Sequence, residues 1–555
     1  MARHQASVEA FRRQATTKRG SSWSLEPFTL REKVVLGGVL FAYFFLLWMA
    51  SGLIWYWQAA ATGVAVVGFS TLFWPLPGDR TGDVGSPRQN ARALLQHPVF
   101  WLGVLLLSYM LISAYNIRVE PQVVAKGLRL HTVEHIEWLP SSVLARIDKD
   151  NPLKFFLLFA NSWLLTCALA VGLRNRRAWR MCLGWLAIGL LVWLAGAFYM
   201  DFMRFERVLG IWKPSRYQYP LFFGTIVAKA HVGYFMSLAT ALCLSLFFLY
   251  WRQARQRGQH AGPHWIFFLG ALLFTVAEVR IFDRGPLAYL IGVWAFALLL
   301  FCITSIRERQ WGGLVVIGVL MAAGLGGSVY LTEHSAYGAQ EKNYKRELRQ
   351  MREDLANWRM IDRVRATEVA LEMWQERKFY GWGAGSFRYC YLTRLDEYPD
   401  LVYYKYRGTF DRDTGEWKNL DWTYYHTTGK LRPKKHRVTL NAVHNDWAQF
   451  LVELGLVGFG LLFAVVACWY FKVLWHLRRL DAAGWMLLAG TTGMLLTALI
   501  DFHHLTPSIH SFTALMIVCT ARWAEVKDQA AVRKKRRRRG GGIEEAPEAS
   551  DAAGA

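Results

Sequence analysis

Apolar runs of bilayer length alternate with short charged connections along most of this chain. They occupy about 33–51, 53–75, 98–115, 153–173, 180–200, 230–251, 263–280, 286–304, 312–331, 446–470, 484–501 and 508–524. Each is long enough to carry a helix through most or all of roughly 30 Å of hydrocarbon. The pattern predicts an all-α polytopic membrane protein with about twelve transmembrane helices. Its parts are a polar segment (1–32), spans one to nine (33–331), a large, mainly helical external loop before the tenth span (332–443), spans ten to twelve (444–524) and a tail (525–555). In the loop, Tyr344, Leu348, Met351, Leu355 and Trp358 recur at helical spacing. A second helix is predicted from Asp362 to Glu376, with Val364, Thr367, Leu371 and Trp374 on one face. Residues 401–440 read as a turn-rich or β-hairpin insertion. Its Tyr403, Tyr404, Tyr406, Trp417, Trp422, Tyr424 and Tyr425 either stack on sugar rings or pack the loop.

Charge sets the orientation. The 555 residues are 54% hydrophobic and 15% aromatic, with a net charge of +24. Arg174 to Arg177, Arg252 to Arg257, Arg307 to Arg309 and Lys472 to Arg479 all fall on one side of the predicted membrane. The positive-inside rule makes that side cytosolic, together with both termini. Residues 1–32 lack the apolar core and cleavage site of a signal peptide. The run from Arg533 to Arg539 reads as a patch for anionic membrane lipids rather than for nucleic acid, and the acidic, alanine-rich end beyond it as disorder. Six of seven cysteines fall in spans, and Cys390 stands alone in the loop. No disulfide framework and no cysteine pair with metal-ligand spacing is present.

The candidate chemistry gathers on the outer side. Where the loop meets span ten, His444 and Asn445 precede Asp446, Gln449 and Glu453. On a helix starting there, His444, Ala448, Leu451, Gly455 and Gly458 share one face and the three polar residues another. Such polar groups face a cavity or protein partners rather than lipid. Lys229 and His231 stand at the start of span six, as interfacial anchors or ligands. Arg284 sits in a tight turn with Asp283, paired with it or turned toward an anion. Gly381, Gly383 and Gly385 permit a tight turn that is either plain or able to offer amides to phosphate. Without a preceding strand or a P-loop lysine they do not predict a nucleotide fold. Arg118, Lys126, Arg129, Arg146 and Lys149 are external cations that suit an anionic ligand. His503 and His504 lack the helical spacing of paired metal ligands, which leaves an interfacial role.

Taken in order, these pieces resemble the O-antigen ligase and polymerase superfamily of membrane glycosyltransferases. The family's "GTF..rNHfAgyL" stretch is matched by Gly224-Thr225 through Lys229, His231 and Tyr234. Its "SRG" turn is matched by Asp283-Arg284-Gly285, its helix-opening arginine by Arg363, and its "GxGxGxF" loop by Gly381 to Phe387. "HN…E.G..G" is matched by His444-Asn445 with Glu453, Gly455 and Gly458. The resemblance covers roughly 200–510. It departs at Asp283 (serine in the family), at Ala230 (asparagine) and in the long insertion before His444, which points to an unusual acceptor or glycan.

The resemblance implies transfer of a glycan from a polyprenyl-diphosphate carrier to an acceptor hydroxyl on lipid A core, glycan or protein. The setting would be the outer, periplasmic face of a bacterial inner membrane, with inversion and with no metal or cofactor. His444 would be the general base, while Arg284 and Arg363, helped by Lys229, would hold the departing diphosphate. His231, Gly381, Gly383, Gly385, Asn445, Asp446 and Glu453 would line the substrates, and Asp446 or Glu453 would orient His444, pair with an arginine, or be structural. Ligase, polymerase and protein O-glycosyltransferase share this set, because only the acceptor differs. A flippase would instead show broken helices near mid-membrane and internal repeats, and the sequence has no evident repeat.

Overall fold

A computed structural model describes residues 28–77, 86–124, 127–143, 151–203, 205–212, 223–259, 261–281, 283–307, 361–394 and 442–526, with four short strands between 403 and 438. Most of this is helix: α1 (Leu30–Trp48), α2 (Trp55–Ser70), α3 (Pro87–Leu95), α4 (Pro98–Tyr115), α5 (Asn151–Gly172), α6 (Arg176–Phe202), α7 (Lys229–Gln256), α8 (His264–Ile281), α9 (Arg284–Arg307), α10 (Ile361–Glu376), the single turn α11 (Phe387–Cys390), α12 (Asp446–Trp475), α13 (Ala482–Thr497) and α14 (Pro507–Glu525). Seven of them, α4 to α9 and α12, are long and apolar enough to cross a membrane. The protein is an all-α membrane protein with little sheet. The predicted ninth span, the helix at 344–358, residues 1–27 and the tail beyond 526 lie outside the described residues.

Local signals explain the helix ends. Thr29 and Glu32 form a reciprocal capping box on α1. Proline opens α3, α4 and α14, where its missing N–H costs nothing. Between α2 and α4, the short helix α3 is capped by Ser86. At the bundle's centre stands α7, whose apolar window is 94% buried. It packs against α6, α8, α9 and α13, while α4, α5, α12 and α14 form a second group.

The remaining pieces are short strands and the helix α10. The segment after α4 forms β1 (Ile117–Val124), β2 (Gly127–Thr132) and β3 (Ser142–Val143), in the order β2-β1-β3. The insertion has β4 (Tyr403–Tyr404), β5 (Thr409–Asp411), β6 (Glu416–Lys418) and β7 (Arg437–Val438), paired β4 with β7 and β5 with β6. That agrees with the expected hairpin. α10 has the predicted extent but turns a different face inward. Ala366, Val369, Ala370 and Met373 are buried against Val119, Trp382, Phe387 and Val443, whereas Val364 is 55% exposed. Small residues let α10 lie close to this core, and the larger Val364 and Leu371 point out.

The start of α12 departs from a plain helix in two ways. His444 lies in the turn before it, so it is not on a helical face with Ala448 and Leu451. The helix is also broken at Gly455, with φ 62° and ψ −174°. Residues 378–383 clasp the break: Trp382 N donates to Val452 O (3.0 Å), Gly383 N to Glu453 O (2.8 Å), and Leu456 N and Val457 N donate to Lys378 O and Phe379 O. Tyr109 of α4 donates to both Tyr380 O and Leu454 O at 2.7 Å. The freed backbone groups are thus satisfied inside the protein. Glycine is needed because a Cβ at Gly381 would sit 2.5 Å from Gly455 N.

Candidate functional site

The site is organised by the connection between α13 and α14, where Asp501, Phe502, His503 and His504 turn back over the bundle end. Asn445 caps α12 through Ala448 N (3.0 Å). Asp446 N then donates to Ala498 O (2.8 Å) and Asp501 O (3.2 Å), fastening the start of α12 to that connection. His444 is held at φ 59°, a left-handed conformation that costs a non-glycine residue about 1–2 kcal/mol. Such strain persists only where the surroundings fix it.

This geometry brings together residues far apart in sequence. His444 Nδ1 lies 3.6 Å from Asp501 Oδ1, and Arg363 Nη1 lies 3.7 Å from Asp501 Oδ2. Arg363 also donates to Ile500 O at 2.6 Å. The carboxylate is only 2% exposed, but the His444 and Arg363 side chains are 28% and 34% exposed. Burial alone would raise the Asp501 pKa; the adjoining His444, Arg363 and His231 outweigh it and hold the carboxyl below its ordinary range. Asp501 is ionised and anchors both groups.

Around this pair, Phe502 packs edge-on against both His444 (4.6 Å) and His231 (4.8 Å). His231 is buried, with Nδ1 2.7 Å from Thr506 Oγ1. Tyr234, one turn along α7, packs on His503 at 4.4 Å. A Cβ at Gly285 would lie 2.2 Å from the Tyr234 hydroxyl, so the start of α9, with half-buried Arg284, adjoins the cluster. Lys229 opens α7 at the same end. The preceding Thr225 is buried, donating to Leu47 O (2.6 Å) and accepting from Trp193 Nε1 (2.9 Å), which fixes how α7 begins.

Several predicted roles change. Asp446 and Glu453 do not orient His444: Asp446 Oδ2 accepts from His504 N (3.0 Å), and Glu453 accepts from Gly385 N (2.8 Å), Phe387 N (3.3 Å) and Gln449 Nε2 (3.1 Å). The amides of Gly381, Gly383 and Gly385 are donated to Arg377 O, Glu453 O and Glu453 Oε2, so the loop is a clasp on α12 rather than a phosphate cradle. His503 and His504 are buried, not interfacial. Cys390 is buried. A cavity of about 190 Å³ beside the clasp has Gln58, Lys154, Arg388, Gln449 and Glu453 among its lining residues.

Asp501 was missed. The signal available was an acid at the end of an apolar run, where burial is expensive unless the charge is used. As chemistry, an imidazole beside a buried carboxylate can accept a proton and have the resulting charge stabilised, with a guanidinium alongside for an anion. The chain matches no protein-family model and no curated protein.

Proposed function

We propose that the protein is an O-antigen ligase-like glycosyltransferase. In this reading it has about twelve spans, cytosolic termini and a site on the outer face of the bacterial inner membrane. It moves a glycan from a polyprenyl-diphosphate carrier to an acceptor hydroxyl of lipid A core or another surface glycan. The observation that carries the reading is the meeting of His444, Asp501 and Arg363 at one end of the bundle, beside the turn that holds Arg284. The acceptor oxygen forms its bond to the anomeric carbon as the bond from that carbon to the diphosphate oxygen breaks, with inversion. The hydroxyl proton passes to His444, and Asp501 stabilises the imidazolium. The diphosphate leaves with added negative charge, which Arg363 and Arg284 balance with help from Lys229. A guanidinium has five N–H donors, and the bond to Ile500 O uses one, so Arg363 is anchored yet able to bind.

Two experiments test this. With a defined polyprenyl-diphosphate donor, Arg363→Lys and Arg284→Lys are each expected to slow transfer roughly 10–100-fold, because lysine keeps the charge but loses the fork. Near-normal transfer by the pair of variants, at unchanged thermal stability, removes the arginines from the mechanism. For orientation, Lys378→Cys should react with an impermeant thiol reagent in intact spheroplasts, and Arg478→Cys only after lysis. Equal labelling of the two from outside rejects the proposed topology.

A further inference from the structure

Asp446 is the first residue of α12, and His503 and His504 form the turn before α14. One potential ligand atom from each lies within 4.8 Å of the other two, and all three side chains are buried. Burying polar atoms without partners is costly. Yet Asp446 Oδ1, His503 Nδ1 and His504 Nε2 make no hydrogen bond among the described residues. Two of the three side chains are meanwhile oriented from behind. Asp446 Oδ2 accepts from His504 N at 3.0 Å, and His503 Nε2 donates to Met494 O at 3.3 Å. A proton on Nε2 leaves the lone pair on Nδ1. This backing of a ligand histidine by a carbonyl is the usual outer-shell arrangement of metal sites.

We propose that Asp446, His503 and His504 bind one divalent transition-metal ion, with zinc the best match. Two imidazoles and one carboxylate are the donor types zinc accepts, and its fourth position can be a water. A cavity of about 110 Å³ reaches Asp446 and His504, room enough for a water as the fourth ligand. Ligand atoms sit about 2 Å from zinc, so binding draws the three together. The ion would cross-link the start of α12 to the α13–α14 connection. His444 lies two residues before Asp446, and Asp501 two before His503, so the ion positions this pair rather than touching substrate. The inference does not rest on the transfer reaction.

The test uses the full-length protein, purified in detergent without a histidine tag. Metal analysis is expected to find close to one zinc per chain. After stripping with a chelator, zinc but not magnesium should raise the unfolding temperature, and cobalt should give the visible absorption of a four-coordinate nitrogen–oxygen site. Asp446→Asn and His504→Gln should each weaken zinc binding by at least about tenfold, since even outer-shell changes at zinc sites cost 10–100-fold. If a variant does not fold, the wild-type titration decides alone. Failure of stripped wild type to take up stoichiometric zinc or cobalt overturns the proposal, as does unchanged zinc affinity in both variants. Because the readouts are metal content, stability and absorption, they stand whether or not glycan transfer is found.

Discussion

His444→Ala will slow glycan transfer by roughly 10²–10⁴-fold while leaving the fold and donor binding intact, the usual span for loss of a general base. Alanine removes the imidazole that Asp501 holds at 3.6 Å and leaves the carboxylate its other partner, Arg363. Asp501→Asn should cost a similar factor by leaving the imidazolium unsupported. The two residues act as one unit, so the double variant should be no slower than the worse single one. Fully multiplicative losses, or near-normal turnover by His444→Ala at matched thermal stability, would remove the pair from the chemistry. Asp501 also makes a pH prediction. Its folded-state pKa lies below the ordinary value near 3.9, so its stabilising contribution is present above about pH 4 and is lost as pH falls toward the folded value. Asp501→Asn should therefore lower the unfolding temperature most near neutrality and progressively less in acid.

The second large effect is on stability. Glu453→Ala will destabilise the protein by roughly 3–5 kcal/mol. It orphans the Gly385 and Phe387 amides and one Gln449 donor, each costing about 1–3 kcal/mol before any relief from water in the neighbouring cavity. Glu453→Gln should be intermediate, since an amide keeps one acceptor oxygen but sets a donor against a donor. Thermal unfolding in detergent measures both. An alanine variant melting with wild type would show that the clasp on α12 contributes nothing.

How legible each part was follows from what each depends on. The span from Pro98 to Tyr115 was readable to the residue, because a uniform apolar run leaves a helix few alternatives. α10 was readable in extent but not in facing. A periodicity search weighs Val364 and Leu371 above Ala366 and Ala370, and only the partner surface shows that the small side chains are the ones enclosed. The alternating glycines were readable as necessary, but not for phosphate. Gly381 is required by the break in α12 at Gly455, some 70 residues further along the chain, and Gly383 by the close approach of Ser142.

The sequence by itself determined that this is a helical membrane protein, because apolar length and the cost of unpaired backbone in lipid allow no other form for such runs. It also marked His444 and Arg284 as candidates, since costly ionisable residues at span ends are conspicuous, and Arg363 only through the resemblance of its motif. Tertiary structure alone decided which acid adjoins His444. Asp446 and Glu453 are nearer in sequence, but helix geometry turns them toward His504 N and the glycine clasp. Asp501 reaches the histidine only because Asp446 N binds the backbone of residues 498 and 501. Such a pairing depends on where three helix ends meet, which no local pattern encodes.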